Sequence, residues 1–327
     1  MIFITGCNGL VGSFIARKLL AEGKKISALR RSTSDLSLIK DIESSIQWIE
    51  GDIMDTEILN KAMEDADTVI HAAAVISFSP GKRDHMYKIN VEGTANVVNA
   101  ALKNNIKKFC YISSIAALGR KKNEWKINEN ALWEDSEMNT HYAKSKYMAE
   151  LEVWRGIEEG LPAFIVNPSV VLGPGDWHNG STKIFHYIFK ENKFYTQGHI
   201  SYVDVRDIAK IVASLLEKNS EGERFILNAG RVTYQELFNL IARSFNKKAP
   251  RIKVGKFLSE IAWRVERMRA VFSDSEPILT KETVKLSGLS FEYENEKIAK
   301  LLHYSFTPLE STIAQTCKEL QDRYVHK

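Results

Sequence analysis

Short apolar runs and helical stripes alternate along the first half of the chain. Met1-Ile2-Phe3-Ile4 is apolar throughout, the pattern of a strand buried on both faces. Val11, Phe14, Ile15 and Leu19 then recur at helical spacing, which predicts a helix with one buried face. The alternation repeats, with strands predicted at 26–29, 46–50, 68–74, 108–114 and 161–168. A helix over 88–103 carries Ile89, Val91, Val97, Val98, Ala101 and Leu102, and another starts at Tyr142 and runs to Gly160. Strands that alternate with helices and are apolar throughout imply a parallel sheet covered on both faces. Right-handed crossovers make that sheet doubly wound, in the α/β class. Beyond Asn167-Pro168 the pattern turns irregular. Residues 173–180 read as a loop from their glycines and proline, and a helix is expected over 182–191. Residues 202–209 read as a strand entering a helix that ends near Leu216. Residues 225–227 form a short strand, and Thr233-Tyr234-Gln235-Glu236 opens a helix with a capping-box pattern. The rest is mostly helical.

Between the first strand and the first helix stands Thr5-Gly6-Cys7-Asn8-Gly9-Leu10-Val11-Gly12. In this context each glycine has a task. Gly6 permits the tight turn, Gly9 lets backbone approach a pyrophosphate, and Gly12 lets the helix pack close to the strand. The helix start offers free N–H groups and the positive end of its dipole to phosphate. Three glycines alone also describe a plain turn, and the residues downstream give them their weight. The second strand ends at Arg30-Arg31. An acidic residue there would bond the ribose 2′-hydroxyl of NAD, whereas arginine suits a 2′-phosphate. The pair therefore favours NADP over NAD, with Ser32 and Thr33 as further donors, although a solvated basic turn has the same composition. Small residues Ala72, Ala73 and Ala74 would let a flat cofactor lie against the backbone. On this reading residues 1–168 form the dinucleotide-binding domain, to which 200–229 return. Residues 169–199 and 230–327 form a smaller, mixed C-terminal substrate lobe, a Rossmann arrangement with a lid of its own.

Composition narrows the field. The chain has 327 residues, 44% hydrophobic and 26% charged, with a net charge of +4, which is ordinary for a globular enzyme. Its Lys/Arg pairs are scattered rather than striped with aromatics, which argues against nucleic acid. Cys7, Cys110 and Cys317 make neither a disulfide framework nor a metal pattern, which suits a reducing cytoplasm. No His/Cys/Asp/Glu cluster has metal spacing. No apolar run approaches a membrane span, and no signal peptide is expected. Phe257, Ile261, Val265, Met268 and Phe272 form a stripe beside Arg264, Arg267 and Arg269. Such a helix packs on its own lobe or a partner more often than on a membrane.

The chemistry converges on three side chains. Tyr142 and Lys146 are four apart and share a helical face. A phenol ionises near pH ~10, and a nearby ammonium favours the phenolate, making the hydroxyl a usable proton donor and acceptor closer to neutrality. Ser114 lies at the carboxyl end of the fifth strand, where ligands bind in such sheets, so its hydroxyl could hold the substrate oxygen that Tyr142 protonates. A lone Tyr-x-x-x-Lys is also an ordinary surface pair; its position after the fifth strand of a dinucleotide fold gives it meaning.

The set resembles the extended short-chain dehydrogenase/reductase family. The resemblance is carried by the glycine turn, Gly51-Asp52, His71-Ala72-Ala73-Ala74, Asn90-Val91-Glu92-Gly93-Thr94, Tyr111-Ile112-Ser113-Ser114, Tyr142-x-x-x-Lys146 and Asn167-Pro168-Ser169 through Gly175. Val203 to Ala209 and Tyr293 to Tyr304 also fit. The resemblance implies Tyr142 as acid/base, Lys146 on the nicotinamide ribose, and Ser114, five residues before Gly119, as the substrate-orienting serine. It implies Asp52 on adenine and Ala72 to Ala74 flanking the cofactor. Gly6, Asn8, Gly9, Leu10, Val11, Gly12, Arg30, Arg31, Ile53, Asn90, Asn167, Pro168 and Val170 complete the expected cofactor set. It further implies a homodimer through the helices after Lys88 and Tyr142.

Two departures from the sugar-nucleotide epimerases of that family bear on substrate. Ile200 stands where an arginine binds substrate pyrophosphate, and Arg30 where an acidic residue selects NAD. The sequence looks closer to the dihydroflavonol-reductase-like and 3β-hydroxysteroid-dehydrogenase-like branch. The expectation is an NAD(P)-dependent oxidoreductase acting on a carbonyl or alcohol of a small, ring-bearing molecule. Its rivals are a nucleotide-sugar epimerase or dehydratase with bound NAD, and a non-catalytic dinucleotide-binding regulator. The substrate pocket is expected from 118–139, 170–183 and the C-terminal lobe, with Trp125, Trp133, Trp177 and Tyr187 as its aromatics and His178 as a loop donor.

Overall fold

A computed structural model describes residues 1–120, 125–136, 139–254 and 291–325. The stripe from Phe257 to Phe272 lies outside the described residues. Seven strands form one parallel sheet: β1 Ile2–Thr5, β2 Ile26–Arg30, β3 Ile46–Glu50, β4 Thr68–His71, β5 Lys108–Ile112, β7 Ala163–Pro168 and β11 Glu223–Leu227. Their order is β3-β2-β1-β4-β5-β7-β11, so the chain reverses direction between β1 and β4. That switch point opens a crevice at the carboxyl ends of the strands, where α/β sheets bind ligands.

The sheet is covered as its apolar strands require. On one face pack helix α1 (Leu10–Ala21) and helix α7 (Val205–Leu216), with Ile15, Leu19, Ile208, Ile211 and Leu215 fully buried against Ile4, Ile70 and Phe164. On the other lie α2 (Thr56–Met63), α4 (Gly93–Lys103) and α5 (His141–Glu158), whose Leu59, Val97, Val98, Ala149 and Val153 cover Phe3, Val69 and Phe109. Strand alternation assigns these two sets to opposite faces. Parallel register also aligns residues across strands. Thr5 lies beside His71, and His71 beside Tyr111, so three polar side chains form one row at the sheet's carboxyl edge.

Helix 88–103 of the sequence reading is broken. Lys88–Glu92 is a π-helical turn and the α-helix begins at Gly93. The fourth and fifth strands also end earlier, at His71 and Ile112, which frees Ala72–Ala74 and Ser113–Ser114 as crevice loops. Three further short elements interrupt the connections: α3 (Arg83–Tyr87), β6 (Lys126–Ile127) and β9 (Phe194–Thr196).

A second, smaller assembly holds β8 (Val170–Leu172), β10 (His199–Asp204) and β12 (Gly230–Thr233) as one three-stranded sheet. Of the stretch 200–229, α7 and β11 pack with the large sheet, whereas β10 pairs with β8 and β12. The small sheet packs with α6 (Lys183–Phe189), α8 (Tyr234–Phe245) and a helix over Leu309–Tyr324 around Trp177, Phe185, Leu237 and Ile313. Helix α8 starts on the expected capping box, Thr233 and Glu236 bonding each other's backbone N–H. Buried Asp207 on α7 accepts from Tyr304 Oη (2.8 Å), Thr307 N (2.8 Å) and Thr307 Oγ1 (2.7 Å), tying the C-terminal segment to the large sheet.

Candidate active site

The glycine turn is built as the sequence predicts. Gly6 has φ +70°, and a Cβ there would meet Ala73 N at 2.5 Å, so both the backbone angle and the close strand-to-loop approach require glycine. A Cβ on Gly12 would run into the Gly6 carbonyl oxygen. Gly9 differs: a Cβ there would meet only Gly6 O, at 3.3 Å. The protein's own packing restricts Gly9 less than Gly6 or Gly12, through that one backbone contact. Gly9 is the N-cap of α1, with no side-chain cap and no acidic residue in the first turn. This is an uncapped, unneutralised helix start, the donor set that a pyrophosphate fits. Asn8 Nδ2 donates to Asp35 O at 3.2 Å, and Leu10 and Val11 form the first turn.

At the end of β2, the Arg30 guanidinium lies over the Trp48 ring at 5.7 Å, with Glu43 at 4.0 Å. Its Nε is buried and has no hydrogen-bond partner among the described residues. Arg31 is exposed beside it. Asp52 accepts from Met54 N at 2.9 Å, and Ile53 is buried against Gly93. Ala72 N and Ala73 N are held by Thr5 O and Thr5 Oγ1, while Ala74 is exposed to the crevice.

Three cofactor-set residues turn out to face inward. Asn90, in the π-helical turn, brackets Val75 by accepting from its N–H (2.8 Å) and donating to its carbonyl (2.9 Å). It also donates to Ser145 Oγ at 3.0 Å. It thereby fixes the Ala72–Val75 wall to the start of α5. Asn167 is fully buried and donates to Ser114 O at 3.0 Å and to Glu150 Oε1. Pro168 ends β7, and half-buried Val170 opens β8.

Thr140 caps α5 by accepting from Ala143 N at 3.0 Å, which sets Tyr142 in the first turn. Burial pushes the pKa of the Tyr142 phenol up to about 12, and the neighbouring Ser114 hydroxyl opposes that rise. Here the structure departs from the sequence reading, which expects the Lys146 ammonium to lower it. The reason is geometric. Lys146 Nζ donates to Tyr111 Oη (2.7 Å) and Ile112 O (3.0 Å) and sits 4.4 Å from the Tyr111 ring centroid. Desolvation brings the ammonium itself down to about 7. The Ser113 hydroxyl acts on Glu150 and the Ser114 hydroxyl on Tyr142.

Beneath the site runs a polar row that sequence reasoning did not assemble. Tyr111 bonds Thr94. Thr94 Oγ1 donates to Asn90 O (2.6 Å) and so accepts from His71 Nε2 (2.9 Å). His71 Nδ1 then accepts from Thr5 Oγ1 at 2.6 Å. Full burial drives the His71 pKa down to about 3, so the ring is neutral. The missed aromatic of the site is Phe78, whose ring stands edge-on to Tyr142 at 6.0 Å. The aromatics named from sequence lie elsewhere. Trp177 is core, packed on His186, Phe189, Phe245 and Tyr324. Trp133 stacks on Tyr147 at 4.4 Å, Tyr187 donates to Phe194 O, and Trp125 is exposed. His178 is an exposed loop residue 4.9 Å from His186. No cluster of three metal-binding side chains occurs among the described residues. No described helix is long and apolar enough to cross a membrane.

Known proteins place this geometry. Residues 2–230 match the model of the NAD dependent epimerase/dehydratase family. A provisionally named dihydroflavonol 4-reductase of Synechocystis sp. is 28% identical, over 98% of this chain and 94% of its own. Cinnamoyl-CoA reductase 1 of Petunia hybrida is 24% identical, over 99% and 92%. Among solved structures, gox2253 superposes with a TM-score of 0.84 at 31% identity, covering 99% of this chain and 98% of that one. The Bordetella bronchiseptica enzyme WbmH, in complex with NAD+, gives 0.78 at 23% identity, covering 99% and 98%. The chain belongs to the NAD dependent epimerase/dehydratase family and is an NAD(P)-dependent enzyme of the extended short-chain dehydrogenase/reductase type.

Proposed function

We propose that this enzyme interconverts a carbonyl and an alcohol on a small, ring-bearing molecule, using NADP, with Tyr142 as acid/base and as a homodimer. The observation that carries the reading is the meeting of the Ser114 hydroxyl, just past the carboxyl end of β5, with the buried Tyr142 phenol and Lys146 of α5. When bound, the nicotinamide supplies the hydride or receives it. Gly6, Gly9, Gly12 and the start of α1 would hold the pyrophosphate, Asp52 the adenine end, and Arg30 with Arg31 a 2′-phosphate.

The protein's part is to hold an oxygen and move a proton. Burial keeps the Tyr142 phenol protonated at neutral pH, the form from which a carbonyl oxygen can take a proton. Ser114 Oγ, beside that phenol, would orient the same oxygen. In the alcohol-to-carbonyl direction the phenol must first give up its proton. Phe78 beside Tyr142 supports a flat, apolar substrate face, and the relatives from Synechocystis sp. and Petunia hybrida both carry the names of reductases. A screen of aromatic and alicyclic aldehydes and ketones with NADPH tests the reading. Tyr142→Phe should keep cofactor binding and lower kcat by about 100-fold or more, the range of a positioned general acid. A Tyr142→Phe enzyme with undiminished kcat would sink it.

A further inference from the structure

We propose that Glu150 is a positioning residue of this site: the buried counter-charge of Lys146, and the joint through which Arg224 and Asn167 fix the Ser114 backbone. Glu150 follows Lys146 by one helical turn on α5, and both side chains are 1% exposed. Two ionic groups on one buried helical face are costly unless each compensates the other. Each carboxylate oxygen has its own partner. Asn167 Nδ2 donates to Oε1, and Arg224 Nη1 stands 3.4 Å from Oε2. Asn167 Nδ2 also reaches Ser114 O at 3.0 Å, which couples the carboxylate to the backbone carrying the Tyr142 partner. Arg224 extends the joint outward. Its Nε donates to Glu129 O (2.6 Å) and its Nη2 to Ala131 O (2.8 Å), both in the 118–139 stretch assigned to the substrate pocket. One carboxylate thus ties together the catalytic helix, the Ser114 turn, β11 and that stretch.

The electrostatics agree in direction. Burial lowers the Lys146 pKa, and the Glu150 charge opposes that fall. Burial raises the Glu150 pKa, and Ser113, Arg224, Asn167 and Lys146 oppose it. The other ionisable groups facing the pair are Tyr111 on β5, Tyr142 on α5 and His71 on β4. Tyr111 and Tyr142 are held protonated at neutral pH and His71 neutral, so Glu150 is the one anion among these groups. Removing its charge leaves Lys146 with no anion among these groups to oppose its desolvation.

The inference builds on the proposed role of Lys146, and its test separates the two. Cofactor-free protein labelled with 13C-lysine gives the Lys146 titration midpoint from its 13Cε shift, assigned with Lys146→Met. Glu150→Gln should move that midpoint down by about one pH unit or more, and Glu150→Asp should restore most of it. An unchanged midpoint in a folded Glu150→Gln protein overturns the proposal. The wild type offers a second reading that needs no variant to fold. The Glu150 13Cδ shift should inflect at the Lys146 midpoint, and its indifference there would equally refute the coupling. Should the midpoint move as expected while neither NADPH nor NADH binds, the charge coupling stands and the oxidoreductase reading falls.

Discussion

At the scale of single residues, burial decides charge. Tyr142, Lys146 and His71 all sit where water is excluded, and each is displaced toward its neutral form. For His71 this makes a stability prediction with a definite sign. Its pKa is near 6.5 unfolded and about 3 folded, so the unfolded chain binds the proton first. Its contribution is complete above the unfolded value and is lost as pH falls from 6.5 toward 3. Denaturant titrations between pH 7 and about pH 5, above the main carboxylate range, should lose up to ~1.4 kcal/mol per pH unit from this group. His71→Gln should flatten that slope by one proton, and an unchanged slope would contradict a neutral buried ring. The roles proposed for Tyr142 and Ser114 rest on residue type and spacing. The direction of the Tyr142 shift was not legible there, because one-dimensional spacing cannot show that Lys146 reaches across to Tyr111 and Ile112. Glu150 was within reach of the same helical-face argument that paired Tyr142 with Lys146. Its partners Asn167 and Arg224 come from β7 and β11, which no local pattern connects to α5.

At the scale of elements, α5 and the glycine turn carry the site, and their termini matter more than their middles. Thr140 caps α5 two residues before Tyr142. Thr140→Ala should cost about 1 kcal/mol in global stability, the usual worth of such a cap, and lower kcat by loosening the first turn. Thr140→Ser should restore both, and a Thr140→Ala protein with wild-type kcat would show that the cap does not position Tyr142. The strand–turn–helix around Gly6, Gly9 and Gly12 was readable because hydrophobic period and glycine placement point the same way. The π-helical turn at Lys88–Glu92 was not, since Ile89 and Val91 fit an unbroken helical stripe equally well. Its cause is tertiary: buried Asn90 bonds the Val75 backbone and Ser145, contacts with no signature in sequence. Of the expected pocket aromatics, Trp177 is a core residue, because its packing partners are distant in sequence. Trp177 lies in a glycine-rich loop yet is drawn into the core of the small lobe by Phe189 and Phe245.

At the scale of the molecule, the large parallel sheet was predictable because its strands are mainly apolar and alternate with helices, and its winding follows from right-handed crossovers. The small lobe was blurred because its strands are short and its register depends on residues far apart, as β10 with both β8 and β12. The proposed homodimer would use the outer faces of α4 and α5, where Leu151 stands 46% exposed on the catalytic helix. Sedimentation at micromolar concentration should show a dimer and Leu151→Glu a monomer; a wild-type monomer would refute the interface. The central claim concerns the cofactor, and Arg30 carries it: a guanidinium laid on Trp48 at the end of β2, its Nε bonded to no described residue. The most direct measurement is calorimetric titration of the purified protein with NADPH and with NADH, after any carried-over cofactor is removed. The account predicts tighter binding of NADPH, with the preference lost in Arg30→Asp. Tightly retained NAD with no preference for NADPH would contradict it and bring forward a catalyst that oxidises and re-reduces one substrate on a resident cofactor.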